Sequence, residues 1–147
     1  TLFNGAFFAG LDDVEHKPHS FYIDRYPVGR EATVAWPTVD LKFKNDTEYG
    51  VLIQTIHQPS SIGGTGAVTV RMWGTKIWNI ESITGARYNY TSPDTRYLSG
   101  EDCVPNSGYG GFSIDVTRVF RKVGESEIDH TEELNTVYTP SDTVICQ

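Results

Sequence analysis

Residues 112–122 read FSIDVTRVFRK, and this stretch decides the fold class. Phe112, Ile114 and Val116 alternate with Ser113, Asp115 and Thr117, the period-two pattern of a strand with one face turned to a core and the other to water. Gly124, Glu125, Ser126 and Glu127 follow as a turn, and Ile128 to Tyr138 returns as a second strand, so the segment reads as a β-hairpin.

Working outward, the same alternation recurs. Val39, Leu41 and Phe43 alternate with Asp40, Lys42 and Lys44, Asn45 and Asp46 supply a turn, and Val51 to His57 is the expected hairpin partner. After a Pro, Ser and Gly loop over 58–66, Val68, Val70 and Met72 alternate with Thr69, Arg71 and Trp73. Ile77 to Tyr90 reads as one long strand bent near Gly85, and Thr91 to Gly111, rich in Gly, Pro and Ser, as an irregular loop. Shorter β-prone stretches lie at 21–23 and 32–36, whereas 14–20 is polar and contains Pro18.

Only the first residues break this pattern. Leu2, Phe3, Phe7, Phe8 and Leu11 fall at helical spacing, and Gly10 with Asp12 and Asp13 supplies the stop. The expected fold is α+β, a mainly antiparallel β-sheet packed against one N-terminal helix, with a C-terminal β-hairpin extension. The expected division is 1–99 for the main domain and 100–147 for the extension. The helix pattern starts at Thr1 without a capping box or acidic first turn, from which a helix beginning before residue 1, on a segment not in the chain, is expected.

Composition narrows the function. Twelve basic residues against 19 acidic ones give a net charge of −7, with no basic run, which argues against a phosphate-backbone binder and so against nucleic acid. No stretch has the length of apolar sequence that a transmembrane helix needs. The two cysteines, Cys103 and Cys146, have no CxxC spacing and no neighbouring histidine at metal-ligand spacing. They read as one disulfide formed in an oxidising compartment, with two buried free thiols as the alternative.

Three stretches resemble the VanW-like family: TLFNGAFFAGLDDVEHKPHSFYIDRYPVGREATVAW from residue 1, VDLKFKNDTEYGVLIQT from residue 39, and VRMWGTKIWNIES from residue 70. The tail, with CVPNSGYGGFSIDVTRVFRK and YTPSDTVIC, resembles the C-terminal β extension of actinobacterial members, which adds support to the disulfide. The resemblance implies a secreted or extracytoplasmic, cell-wall-associated protein, of a family whose members accompany peptidoglycan-binding modules and in some cases glycopeptide-resistance clusters. It implies peptidoglycan or another cell-envelope component as the partner, and no cofactor. Family members carry a Gly-rich segment before the helix, so the N-terminal part of the same precursor is a second candidate partner.

Within that frame His19 is the candidate general base, with Glu31 or Asp40 as the acid that orients it and a nucleophile upstream of residue 1, the arrangement of papain- and transglutaminase-like enzymes. Against this stands a plain polar turn of His19 and Ser20 after Pro18. Arg25, Tyr26 and Arg30 form a candidate carboxylate pocket, weighed against structural ion pairs to Asp24 or Glu31. Trp78, with Trp36, Trp73, Tyr88 and Tyr90, is a candidate sugar-stacking residue, weighed against burial in the core. His16 and His19 are three apart, but Pro18 denies them a shared helix face, and no metal site is expected. The expected function is a binding or scaffold module of the cell envelope, with a hydrolase or transferase acting on peptidoglycan peptide as the alternative.

Overall fold

The structure, a computed structural model, describes residues 1–147. Helix α1 spans Leu2–Ala9 and ends at Gly10, whose φ of 77° is the left-handed C-cap conformation; a side chain there would also collide with Trp78. Ten strands follow: β1 Asp12–Glu15, β2 Lys42–Lys44, β3 Leu52–Gln58, β4 Ala67–Trp73, β5 Trp78–Thr84, β6 Tyr88–Thr91, β7 Thr95–Leu98, β8 Gly111–Lys122, β9 His130–Tyr138 and β10 Thr143–Cys146. One helix with mostly antiparallel pairing makes this an α+β fold.

The expected hairpin β8–β9 is present, and it lies at the centre of the molecule. Strand β8 pairs with β9 on one edge and, on the other, with β5 over its second half and β6 over its first. The main sheet therefore crosses residues 99 and 100 instead of stopping there. Register places Phe112 opposite Tyr138, Ile114 opposite Thr136, Val116 opposite Leu134, Arg118 opposite Glu132 and Phe120 opposite His130. These pairs share one face of the sheet, as alternation demands.

Two covers bury that face. Phe3 and Phe7 of α1 pack with Val116 and Leu134, joined by Ala32, Leu41 and Ile80. Tyr22 and Val28, from the connection between β1 and β2, pack on Phe112, Ile114 and Tyr138. Gly29, at φ 67°, comes so close to the sheet that a Cβ would lie 2.7 Å from Val116 Cγ2.

Arg118 is the fully buried charge on this face. Its Nη1 donates to Leu11 O (3.0 Å) and to Glu132 Oε2 (3.0 Å), and its Nη2 to Phe7 O (2.5 Å) and Ala6 O (3.5 Å). The guanidinium thus adds a second donor to Ala6 O and Phe7 O, which already accept the N–H groups of Leu11 and Gly10 at the helix cap, and ties Leu11 O to the sheet. The rings of Phe120 and Phe7 flank it, 4.4 and 4.9 Å from the guanidinium carbon.

Several pairings differ from the expected ones. Strand β2 pairs with β1, in the polar stretch that carried no strand signal, and not with residues 51–57. Strand β3 instead pairs with β4 across the Pro and Gly loop. The long strand over 77–90 is two strands, β5 and β6, laid end to end along the same edge of β8. The loop over 91–111 contains β7, which pairs parallel with β10. Cys103 and Cys146 are bonded and close that tail onto the loop.

Two outcomes test this account. Arg118→Ala is expected to cost about 3 kcal/mol or more of unfolding free energy in urea titrations, because it removes the charge-assisted hydrogen bonds to Phe7 O, Leu11 O and Glu132 and leaves a void beside Phe7. A loss below about 1 kcal/mol would show that the helix end is satisfied without it. Reduction of Cys103–Cys146, which closes a loop of 43 residues, is expected to cost about 4 kcal/mol by the loop-entropy model, read as the shift between oxidised and reduced urea curves.

Candidate functional site

The connection from β1 to β2 crosses the sheet and returns, which places residues 17–20 beside residues 31–33. Thr33 N–H donates to Lys17 O (2.8 Å), and a turn closed by Arg30 N–H to Pro27 O (3.0 Å) directs Glu31 inward. Val28 and Gly29 are the central residues of that turn, and Gly29 supplies its left-handed position.

His19 and Glu31 meet on this frame. His19 Nδ1 lies 2.8 Å from Glu31 Oε2, with the carboxylate side chain 3% exposed and the imidazole 26% exposed. A carboxylate is an acceptor only, so Nδ1 carries the hydrogen and Nε2 of the neutral ring is left as the acceptor. Tyr26 stacks on the imidazole, with centroids 5.0 Å apart and planes 5° from parallel. His19 lines an open groove of about 300 Å³ with Lys17, Pro18, Thr33 and Val39.

Behind Glu31 stands Tyr138, which sequence reasoning missed. Its hydroxyl oxygen accepts the Gly29 N–H at 2.9 Å. Burial pushes its pKa well above the ordinary tyrosine value; the Gly29 N–H opposes that shift, and the neighbouring Glu31 carboxylate adds to it. The other Glu31 oxygen, Oε1, is buried with no further hydrogen bond. The site is therefore a line from solvent to core: Tyr26, His19, Glu31, Tyr138.

The remaining candidate residues are dispersed. Asp40 is not the partner of His19; its Oδ1 accepts the N–H of Leu41 at 2.8 Å. Arg25 is exposed and makes no ion pair. Arg30 lies over the rings of Phe8 and Phe7, at 5.2 and 5.8 Å, and burial lowers its pKa. Arg25, Tyr26 and Arg30 thus point to three surroundings, and Glu31 pairs with neither arginine. His16 pairs with Asp13 at 2.5 Å and stacks on Phe3, away from His19.

Trp78 stands edge-on to Phe120 and His130, and its open side helps line a second groove of about 310 Å³ with Gly5, Phe8, Met72, Trp73 and Lys76. Trp73 is 52% exposed and Phe8 44%. Trp73 Nε1 donates to Gln54 Oε1 at 3.1 Å, which fixes the plane of the indole.

Chemically, the His19–Glu31 pair is the base and orienter of a nucleophilic triad without a nucleophile: no Ser, Thr or Cys side chain hydrogen-bonds His19, and both cysteines are in the disulfide. The aromatic groove has the rigid apolar faces that bind sugar rings.

Comparison with known proteins bears on the first half of the chain. Residues 1–72 match the family described as VanW like protein. A Bacillus subtilis (strain 168) protein, "Uncharacterized protein YoaR", is 34% identical over 70 residues, which cover 48% of this chain and 22% of that protein. The match spans less than a quarter of the relative's length. No solved structure matches the chain.

The pH dependence of stability tests the buried end of the line. The folded protein keeps Tyr138 protonated to higher pH than the unfolded chain does. Its contribution is therefore fully present below the ordinary tyrosine pKa of about 10 and is lost as the pH rises from there towards the folded value. Tyr138→Phe is expected to flatten the fall of the urea midpoint above about pH 10 relative to wild type. An identical alkaline slope in both proteins would remove Tyr138 as its source.

Proposed function

We propose, for a chain whose residues 1–72 belong to the VanW-like family, that this domain works outside the cytoplasmic membrane as a binding module of the cell envelope, with peptidoglycan glycan as its ligand. The groove of Phe8, Trp73 and Trp78 is the observation that carries this reading. Two indoles and a phenyl ring, held on α1, β4 and β5, offer apolar faces to sugar C–H groups at low conformational cost, and Lys76 supplies donors at the rim.

Two further features support it. A disulfide persists in oxidising surroundings. A net charge of −7 disfavours an anionic polymer held by its charge, and favours stacking on a largely neutral glycan.

The His19–Glu31 pair favours a second reading, proton transfer during hydrolysis or transfer of a peptidoglycan peptide, with the nucleophile supplied from outside residues 1–147.

Co-sedimentation with purified peptidoglycan sacculi separates the two. The wild-type domain is expected to pellet with sacculi, Trp73→Ala to weaken retention about fivefold, and His19→Ala to leave it unchanged. Wild-type protein that stays in the supernatant, or Trp73→Ala retained as well as wild type, overturns the glycan-binding reading. Release of soluble peptide that His19→Ala abolishes would establish the second one.

A further inference from the structure

Arg87 sits in a third groove, apart from both the His19 pair and the Trp73 face. It lies in the connection between β5 and β6, where the sheet edge shifts from one half of β8 to the other and Gly85 N–H is tied to Asp115 O (2.9 Å). Its guanidinium carbon is 4.2 Å from the centroid of Phe112 and 4.7 Å from that of Tyr22. Those rings belong to the second core cluster and pack edge-on to each other, 5.4 Å between centroids. The cation is therefore held on a rigid platform instead of being free to wander.

What the guanidinium lacks is an anion. Arg96, Arg118 and Arg121 each pair with a carboxylate, whereas Arg25, Arg30, Arg71 and Arg87 do not, and of these four Arg87 lies nearest to aromatic rings. Arg87 has no hydrogen bond and no ion pair, in a chain where 19 acids outnumber 12 bases. Around it opens a groove of about 660 Å³, lined by Tyr22, Asp24, Tyr90, Tyr109 and Phe112. Tyr90 is 72% exposed and Tyr109 44%. Tyr109 is nonetheless anchored, since its backbone N–H and C=O both bond Ser141, at 3.0 and 2.9 Å.

We propose that this groove is a carboxylate-binding site, in which Arg87 grips the carboxylate and Tyr90 and Tyr109 cover an apolar group attached to it. A planar guanidinium offers two parallel N–H donors to a carboxylate, and stacking on two rings pre-sets that fork. Asp24 limits the ligand's charge. One cation beside one acid suits a monoanion and disfavours a phosphate, whose second charge would meet Asp24 unopposed. The carboxylate is that of a peptide terminus or of an acidic sugar, chemistry the two share.

The site is independent of the glycan-binding reading, because none of its residues lines the Trp73 groove. NMR titration of the 147-residue chain tests it, following the Arg87 side-chain Nε–H and the backbone amides of residues 88–90. The probes are N-acetylphenylalanine, its C-terminal amide, N-acetylmuramic acid and inorganic phosphate. At least one of the two acids is expected to saturate at millimolar concentration, with the amide and phosphate at least about tenfold weaker. The tighter acid identifies the source, peptide terminus or sugar acid.

Arg87→Gln and Arg87→Lys are each expected to weaken the tighter acid about tenfold, the second while keeping the charge. Tyr90→Ala, a change at an exposed ring, is expected to weaken N-acetylphenylalanine and leave the fold intact. Failure of both acids to saturate overturns the proposal, as does equal binding of acid and amide, or an Arg87 variant within twofold of wild type. Should the Arg87 variants unfold, the contrast of acid with amide on the native chain decides alone.

Discussion

The guanidinium of Arg118 joins the helix to the sheet, and the rest of the molecule is arranged around that contact. Strand alternation puts residue 118 on the inward face of β8, between Val116 and Phe120, where an unpaired charge would cost several kcal/mol. The cost is offset because the carbonyls of Phe7 and Leu11 at the end of α1 accept its N–H groups, and Glu132 lies directly opposite on β9. Burial lowers the Arg118 pKa while Glu132, Asp13 and Asp12 raise it, and the ion stays charged. An apolar side chain of equal volume would fill the space and lose the hydrogen bonds that tie the helix end to β8. An eight-residue helix is marginal in water, so its position depends on what receives its end.

From this contact the register of β8 and β9 sets two half-covers. Below Arg118, Val116 and Leu134 meet Phe3 and Phe7 of the helix. Beyond the helix, Phe112, Ile114 and Tyr138 are left for the connection between β1 and β2, which descends onto them with Tyr22, Val28 and the side-chain-free Gly29. The same descent turns Glu31 toward Tyr138 and leaves His19 at the surface above it. The His19–Glu31 pair therefore follows from how the second half of the sheet is covered. It is as rigid as that cover.

Much of this was legible in the sequence, and what was not has physical causes. The alternation in 112–122 identified the central strand because both of its edges are paired and one face is fully covered. Arg118 was visible in the same pattern as a charge at an inward position, but its partners are backbone carbonyls, which have no sequence signature. Strand β1 escaped because it is four residues long and mostly exposed, so neither alternation nor apolar content marks it, and β2, legible within 39–44, was for that reason matched to the wrong partner. Pairing β7 with β10 in parallel joins segments that only the chain's return can bring together. At the site, His19 and Glu31 lie twelve positions apart in one connection and could be considered together, whereas Tyr138 reaches Glu31 from the far end of the chain. Arg87 gave no signal because the rings beneath it and the groove around it come together only in the folded neighbourhood.

The hairpin β3–β4 links these points. A two-stranded hairpin is marginal by itself, and most of this one is exposed on both faces, with Leu52, Ile56, Val68 and Trp73 open to water. Its attachment is the row of Val70 and Met72, whose side chains rest on the bare backbone of Gly5 in α1. The aromatic groove lies in that attachment, with Phe8 from the helix on one wall and Trp73 from the hairpin on the other. The groove is therefore formed only while the hairpin sits on the helix, and the helix is held to the sheet by Arg118. A ligand that bridges Phe8 and Trp73 would strengthen the junction between hairpin and helix, and its affinity would include the free energy of closing it. The Arg87 groove has the opposite character, since its platform of Tyr22 and Phe112 is core and exists whether or not the hairpin is docked. A ligand at the first surface would therefore act on the docking of the hairpin, and one at the second would not.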